Sequence, residues 1–265
     1  MIKKTFFPIL CLTLLLIACG GADENTLEFE TVTADKSVNL SNEVLSPTCK
    51  VHLELEAVTE NMGHRAEVIN NTVMKRLLDE EEETMQLAAN AFAEKYTESY
   101  QKTMLPLYNE DRADTTKRSW YEYHYVVKCS TQRGSKGTYV YLATVDYYEG
   151  GAHGINQLIT LNFEAKTGRQ LMLADIFASG YEEPLKAILM KALKEKTGFM
   201  TLSALRDKGY LYKMEIFPSE NFILGEETIT FVYNPYEIAP YAVGSTELII
   251  PFSDVKDLLK NSFEY

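Results

Sequence analysis

Four histidines, at 52, 64, 124 and 153, are the first places to look for chemistry, and no two have the close spacing with which a helix or hairpin grips a metal. His52 and His124 alternate with other polar residues and read as surface side chains. His153 differs. It stands in YYEGGAHGINQ, residues 147–157, among Gly150, Gly151 and Gly154. Glycines permit positive φ and close backbone approach, so a tight, shaped turn is expected there. Within that turn the ring has two readings. It can hydrogen-bond backbone groups that the turn leaves unpaired, or it can face a ligand. A catalytic role needs a partner acid or nucleophile, and the sequence singles out neither.

A second unusual connection is NPYEIAPYAVG, residues 234–244. Pro235 and Pro240 reduce the entropy lost in holding one loop shape. Tyr236 and Tyr241 are contact residues with few rotatable bonds. Recognition is one reading, and packing at the core edge is the other. The 38 acidic residues allow many chance carboxylate pairs, so none marks a glycosidase. The acidic run 79–83 fans around a helix axis rather than converging on one ion, and reads as a solvated face or a break between helices. GxSxG, P-loop and GxGxxG patterns are absent. No metal site and no cofactor is expected. The chain reads as a binding module, with an enzyme of peptidoglycan or polysaccharide as the alternative and a structural envelope protein as the third reading.

The elements that hold these loops are visible as two periodicities. Residues 49–57 alternate: Cys49, Val51, Leu53, Leu55 and Ala57 to one side, Lys50, His52, Glu54 and Glu56 to the other. A helical region is expected over 65–104, ending at Pro106. A hairpin follows, with strands over 120–132 and 138–148 around the turn 133–137. Its tyrosine stripe, Tyr121, Tyr123 and Tyr125, reads as core rather than as a sugar platform. Further strands are expected over 27–32, 155–164, 170–173, 222–224, 228–233 and 246–251. Helices are expected over 181–196 and 254–260, the last capped by Ser253. Strands and helices segregate, so the fold class is α+β: antiparallel sheets of meander or hairpin type with long helices packed on one face. Domains are drawn as a signal peptide over 1–18, a tether with a first strand over 19–45, an N-terminal domain over 46–145 and a C-terminal domain over 146–265.

The first residues carry an address. Lys3 and Lys4 precede an apolar run too short to span a bilayer comfortably, and it ends in Leu16-Ile17-Ala18-Cys19, which resembles a bacterial lipobox. Acylation of Cys19 would anchor the chain in the cell envelope, periplasmic or surface-exposed on the outer membrane. The net charge is −12, and loss of Lys3 and Lys4 with the leader lowers it by two, to −14. Such a chain keeps away from nucleic acid and attracts basic partners. With Cys11 removed and Cys19 acylated, Cys49 and Cys129 remain in a compartment that permits a disulfide. They read equally well as a disulfide or as two buried thiols.

GGAHG, the stretch NFEAKTG followed by LADIF, and NPYEIAPYAVG with IIPF together resemble the C-terminal domain of the RsiV type of extracytoplasmic proteins. Residues 49–145 are similar to the domain that usually precedes it, also found in peptidoglycan deacetylases outside their catalytic part. The resemblance implies an α+β module that binds, with lysozyme as the ligand of the anti-sigma members. It points to the loops 150–154 and 235–241 as contact sites, and to a lysozyme-like basic protein or a cell-wall glycan as partner. The departure is the lipobox, which stands where anti-sigma members have a membrane span, so signalling to a cytoplasmic sigma factor is not expected.

Overall fold

The structure, a computed structural model, describes residues 25–265; the leader and Cys19 lie outside the described residues. The predicted strand at 49–57 is β2 (Thr48–Val58), and it organises the first half of the chain. Its odd residues from Cys49 to Ala57 are all buried. Burying each large one stabilises by about 1.5–3 kcal/mol, and a one-residue slip would turn the whole row to water. β1 (Phe29–Asn39) pairs with it antiparallel and is longer than the strand expected at 27–32.

The helical region divides at the acidic run, as one of its two readings required. α1 (His64–Leu78) ends at Asp79, whose φ of 53° takes a left-handed cap. Glu80 is buried there, and Lys95 meets it at 2.6 Å. Thr84 then caps α2 (Met85–Asp111) by accepting from Leu87 N–H at 3.2 Å. Pro106 does not end this helix, contrary to expectation. The residue four back, Lys102, is exposed, as is Pro106 itself, so the carbonyl that proline leaves unpaired lies on the watered side.

Together the two helices form a crossover that returns β3 (Tyr123–Arg133) parallel to β2. β4 (Thr138–Glu149) and β5 (Ile155–Glu164) follow as antiparallel hairpins, and the two-residue β6 (Gln170–Leu171) closes the six-stranded sheet in sequential order. Apolar side chains of α1 and α2, among them Ile69, Val73, Ala88 and Ala93, share one core with the buried row of β2.

That core ends at Ala165, so the sheet runs past the boundary drawn at 145/146. A second core begins at Leu171. It is built by α3 (Leu173–Ile176), α4 (Glu182–Thr197), α5 (Leu202–Asp207) and an antiparallel sheet of β7 (Phe222–Leu224), β8 (Thr228–Tyr233) and β9 (Thr246–Pro251). The last helix is shorter than expected. α6 (Phe252–Val255) passes directly into a 3₁₀ turn, and Ser253 lies inside it rather than capping it. The result is a mixed α+β fold in which antiparallel pairing dominates.

Asparagine side chains join the two halves. Asn162, 1% exposed, donates to Phe222 O at 2.7 Å and accepts from Leu224 N–H at 2.9 Å, so its amide stands in for a neighbouring strand of β7. Asn221 reciprocates: its Oδ1 accepts from Thr160 N–H and its Nδ2 donates to Leu158 O, both at 2.8 Å. Among the described residues no buried side-chain polar atom is left without a partner, as stability demands of a seam cut through apolar surroundings.

The alternative of a Cys49–Cys129 disulfide fails on register. Cys49 lies beside Tyr123 in the parallel pair, and Cys129 is six residues further along β3, roughly 20 Å away at the rise of a strand. A disulfide needs Cα atoms within about 7 Å. Both thiols are free, and burial pushes each up to about 12, which leaves them little thiolate character.

Candidate functional site

The turn at 150–154 joins β4 to β5 at one end of the large sheet. Gly150 is required twice: its φ is 81°, and a Cβ would stand 2.8 Å from Trp120 O. Gly151 also has positive φ, 91°, and its carbonyl accepts from the Tyr148 hydroxyl at 2.9 Å. Gly154 lies close to the strand it has left, where a Cβ would meet Tyr147 O at 2.9 Å. These contacts fix the loop and leave His153 exposed at its tip.

The loop 234–244 joins β8 to β9 and is rooted in the same seam. Asn234 Oδ1 accepts from Leu158 N–H at 2.8 Å, and its Nδ2 donates to Leu158 O at 3.0 Å. Glu237 N–H donates to Asn234 O, which closes a four-residue turn with Pro235 second and Tyr236 third. Tyr236 has φ of 74°. That pattern belongs to a type II turn, where glycine or asparagine ordinarily takes the third place. A side chain there costs about 1–2 kcal/mol. The Glu237 carboxylate accepts from Asn234 N–H at 2.8 Å, while burial holds its pKa above the usual carboxylate range. Pro240 stays exposed and packs against Gly209, where a Cβ would meet its ring at 2.8 Å.

The two loops meet. His153 stacks on Tyr241 with ring centroids 3.8 Å apart and planes 12° from parallel. Its Nε2 lies 3.2 Å from the Tyr236 hydroxyl, and its Nδ1 lies 2.9 Å from Gly154 O. A carbonyl only accepts, so Nδ1 carries a proton, and in the neutral ring Nε2 takes the hydrogen of Tyr236. Of the two readings made for His153, the bond to a backbone group is present, since one nitrogen secures the turn; the other nitrogen bridges to a second loop. Among the described residues no carboxylate bonds this imidazole, and no group of three or more His, Cys, Asp or Glu side chains is placed to hold a metal. The outcome is a small aromatic ledge. Tyr236 is 59% exposed at its rim, and Pro235 supports it from the turn.

Two neighbours escaped the sequence reading. His124 pairs with Asp146 at 2.9 Å and stacks against Tyr148, the residue that holds Gly151. Asn234 was visible as part of an unusual loop, but not as its anchor. The first was within reach, since the hairpin turn at 133–137 sets His124 opposite Tyr148. The second joins residues 76 apart in sequence and has no local signal.

Comparison with known proteins gives this geometry relatives. The family model described as "Protein of unknown function (DUF3298)" matches residues 174–253, which include β7 to β9 and the loop 234–244. The chain is 30% identical to a crystal structure of a DUF3298 family member from Bacteroides fragilis. That match covers 89% of this chain and 94% of the other, with a TM-score of 0.81. A DUF3298 family structure from Pseudomonas aeruginosa has the same fold at 15% identity, with a TM-score of 0.60, over 90% of this chain and 96% of that one. Among curated proteins, the peptidoglycan-N-acetylmuramic acid deacetylase PdaC of Bacillus subtilis is 28% identical over 183 residues. The match covers 68% of this chain and spans only 37% of that relative's length.

Proposed function

The chain belongs to the DUF3298 family, and on that footing we propose that it is a non-catalytic binding module of the bacterial cell envelope, held by a lipid on Cys19 and offering His153, Tyr236 and Tyr241 to cell-wall glycan. The ledge carries this reading. Three rings contributed by two loops lie 12–29° from parallel, and the outermost is mostly exposed although its backbone is strained. Flat aromatic faces stack on sugar rings, and strain kept at an exposed position is commonly tied to function. The deacetylase acts, by its name, on peptidoglycan, which supports a cell-wall setting. Its activity does not transfer, because most of that protein lies outside the match.

The placement of the tether supports the same reading. Asn25 lies at the turn beside Gly137, and Leu27 N–H donates to Tyr139 at the start of β4. The ledge is at the other end of that strand, twelve residues and roughly 40 Å away. A chain held at its N-terminus would present the ledge away from the membrane. No described helix is long and apolar enough to cross one.

A second reading rests on charge. At −12 the chain suits a basic protein, and the RsiV-type resemblance makes a lysozyme-like partner the specific form of it. Titration with soluble peptidoglycan fragments and with c-type lysozyme, each at low and physiological salt, separates the two. Glycan binding is expected to change little with salt and to be lost in Tyr236→Gly. Lysozyme binding that falls steeply with salt and survives Tyr236→Gly replaces the glycan reading by the second. Absence of binding to either at micromolar concentration sinks both.

A further inference from the structure

An edge strand turns the N–H and C=O groups of every second residue outward, and exposed edges invite pairing. Several such edges here are occupied. On β1 the outward residues are the odd ones, and α2 takes two of their carbonyls: Gln86 donates to Thr33 O at 3.0 Å and Gln101 to Asn39 O at 2.8 Å. The outer edge of β5 is taken by Asn221, Asn234 and β6. The outer edge of β7 is taken by Asn162.

β9 is different. Phe252 N–H donates to Glu227 O in the register that pairs Ile250 with Ile229. The even residues of β9 therefore point their backbone groups at β8, and Glu247, Ile249 and Pro251 point theirs away. Nothing among the described residues bonds to these groups. Pro251 has no N–H to expose, which is where an edge strand tolerates proline. Ile249, in the middle, is 62% exposed. Beside it runs a groove of about 450 Å³ between β9 and α4. Ile188, Lys191 and Glu195 line it with Ile249 and Pro251, and Glu195 also borders the next recess, beside Lys196 and Glu247.

We propose that β9 pairs antiparallel with β9 of a second copy of this chain, about a two-fold axis through Ile249. That register satisfies the backbone. Ile249 exchanges two hydrogen bonds with its symmetry mate, and each Glu247 N–H meets the carbonyl of the mate's Pro251, so no outward N–H is left over. The two exposed isoleucines cover each other. Glu247 lands opposite proline rather than opposite another acid. The axis also sets the Lys191 end of one groove against the Glu195 end of the other, twice over. An unrelated extended peptide would meet the same backbone bonds; the self-matching of Ile249, and of a helix that carries Lys191 and Glu195 one turn apart in an ion pair of its own, selects a second copy. The pairing is independent of the aromatic ledge.

Cysteine cross-linking of the full-length chain in its membrane tests the register. A hydrogen-bonded antiparallel pair holds Cα atoms about 5.5 Å apart, within disulfide reach. Ile249→Cys should therefore form a covalent homodimer under mild oxidation. Glu247→Cys is the control, because its two copies would lie roughly 13 Å apart at strand rise. About tenfold more dimer from Ile249→Cys than from Glu247→Cys is expected, given the steep distance dependence of disulfide closure. Equal yields, no dimer from either, or capture of a different protein by Ile249→Cys would each overturn the proposal.

Discussion

The asparagine seam and the aromatic ledge both join the two halves of this molecule, and they do it with opposite physics. In the seam, Asn162, Asn221 and Asn234 bond directly to main chain that is buried or half-buried. In the ledge, His153 and Tyr236 share one bond between exposed side chains, at 3.2 Å, on a loop with an unfavourable φ. A satisfied buried amide is expensive to lose, because its partners are left unpaired in a medium that cannot solvate them. An exposed contact is cheap to lose, because water replaces it. The seam therefore bears on stability, and the ledge is left free for recognition.

The largest effect belongs to the seam. Asn162→Ala should cost about 3 kcal/mol, since it strands Leu224 N–H and opens a cavity. Urea unfolding measures it, and a loss under about 1 kcal/mol would mean that water repairs the seam and the contrast is void. Tyr236→Gly should move stability by no more than about 1 kcal/mol, and upward if anything, because glycine takes the positive φ without strain. If the same variant unfolds as readily as Asn162→Ala, the ledge is structural. The smallest effect sharpens the boundary between the two regions. Burial raises the Glu237 carboxyl above its unfolded value, so the native state holds that proton more readily. The resulting penalty is absent below the ordinary carboxylate range, grows as pH rises through it, and is complete above the folded pKa. Glu237→Gln should thus unfold at slightly higher urea than the parent at neutral pH, and the two midpoints should converge near about pH 4. A difference that persists in acid would point to a packing change instead.

Much of the fold was legible where one face of an element is wet. β2 alternates strictly, and it lies where the alternation put it. The hairpin of β3 and β4 follows from a glycine turn between two alternating runs. Legibility failed where partners are distant. β1 looked short because its second half, Thr33 to Asn39, is polar on the outward side and was not recognised as an edge that a helix would cover. Cys49 and Cys129 share a sheet face, but the parallel crossover sets them far apart along it. Pro106 looked like a stop, yet a proline on the exposed side of a helix packed along a sheet is held in place by its neighbours.

The candidate site divides the same way. Gly150, Gly151 and Gly154 announced a shaped turn, and Pro235 with Tyr236 a rigid one, because positive φ and fixed φ are written in residue type. What residue type does not carry is the meeting of His153 with Tyr236 and Tyr241 across more than eighty residues. That meeting depends on Asn234 gripping Leu158, and hence on how the second core docks against β5. Backbone preference and alternation are local and survive in the sequence. The pairing of the loops is decided by buried polar bonds between segments far apart in the chain, and only the folded chain brings those bonds into reach.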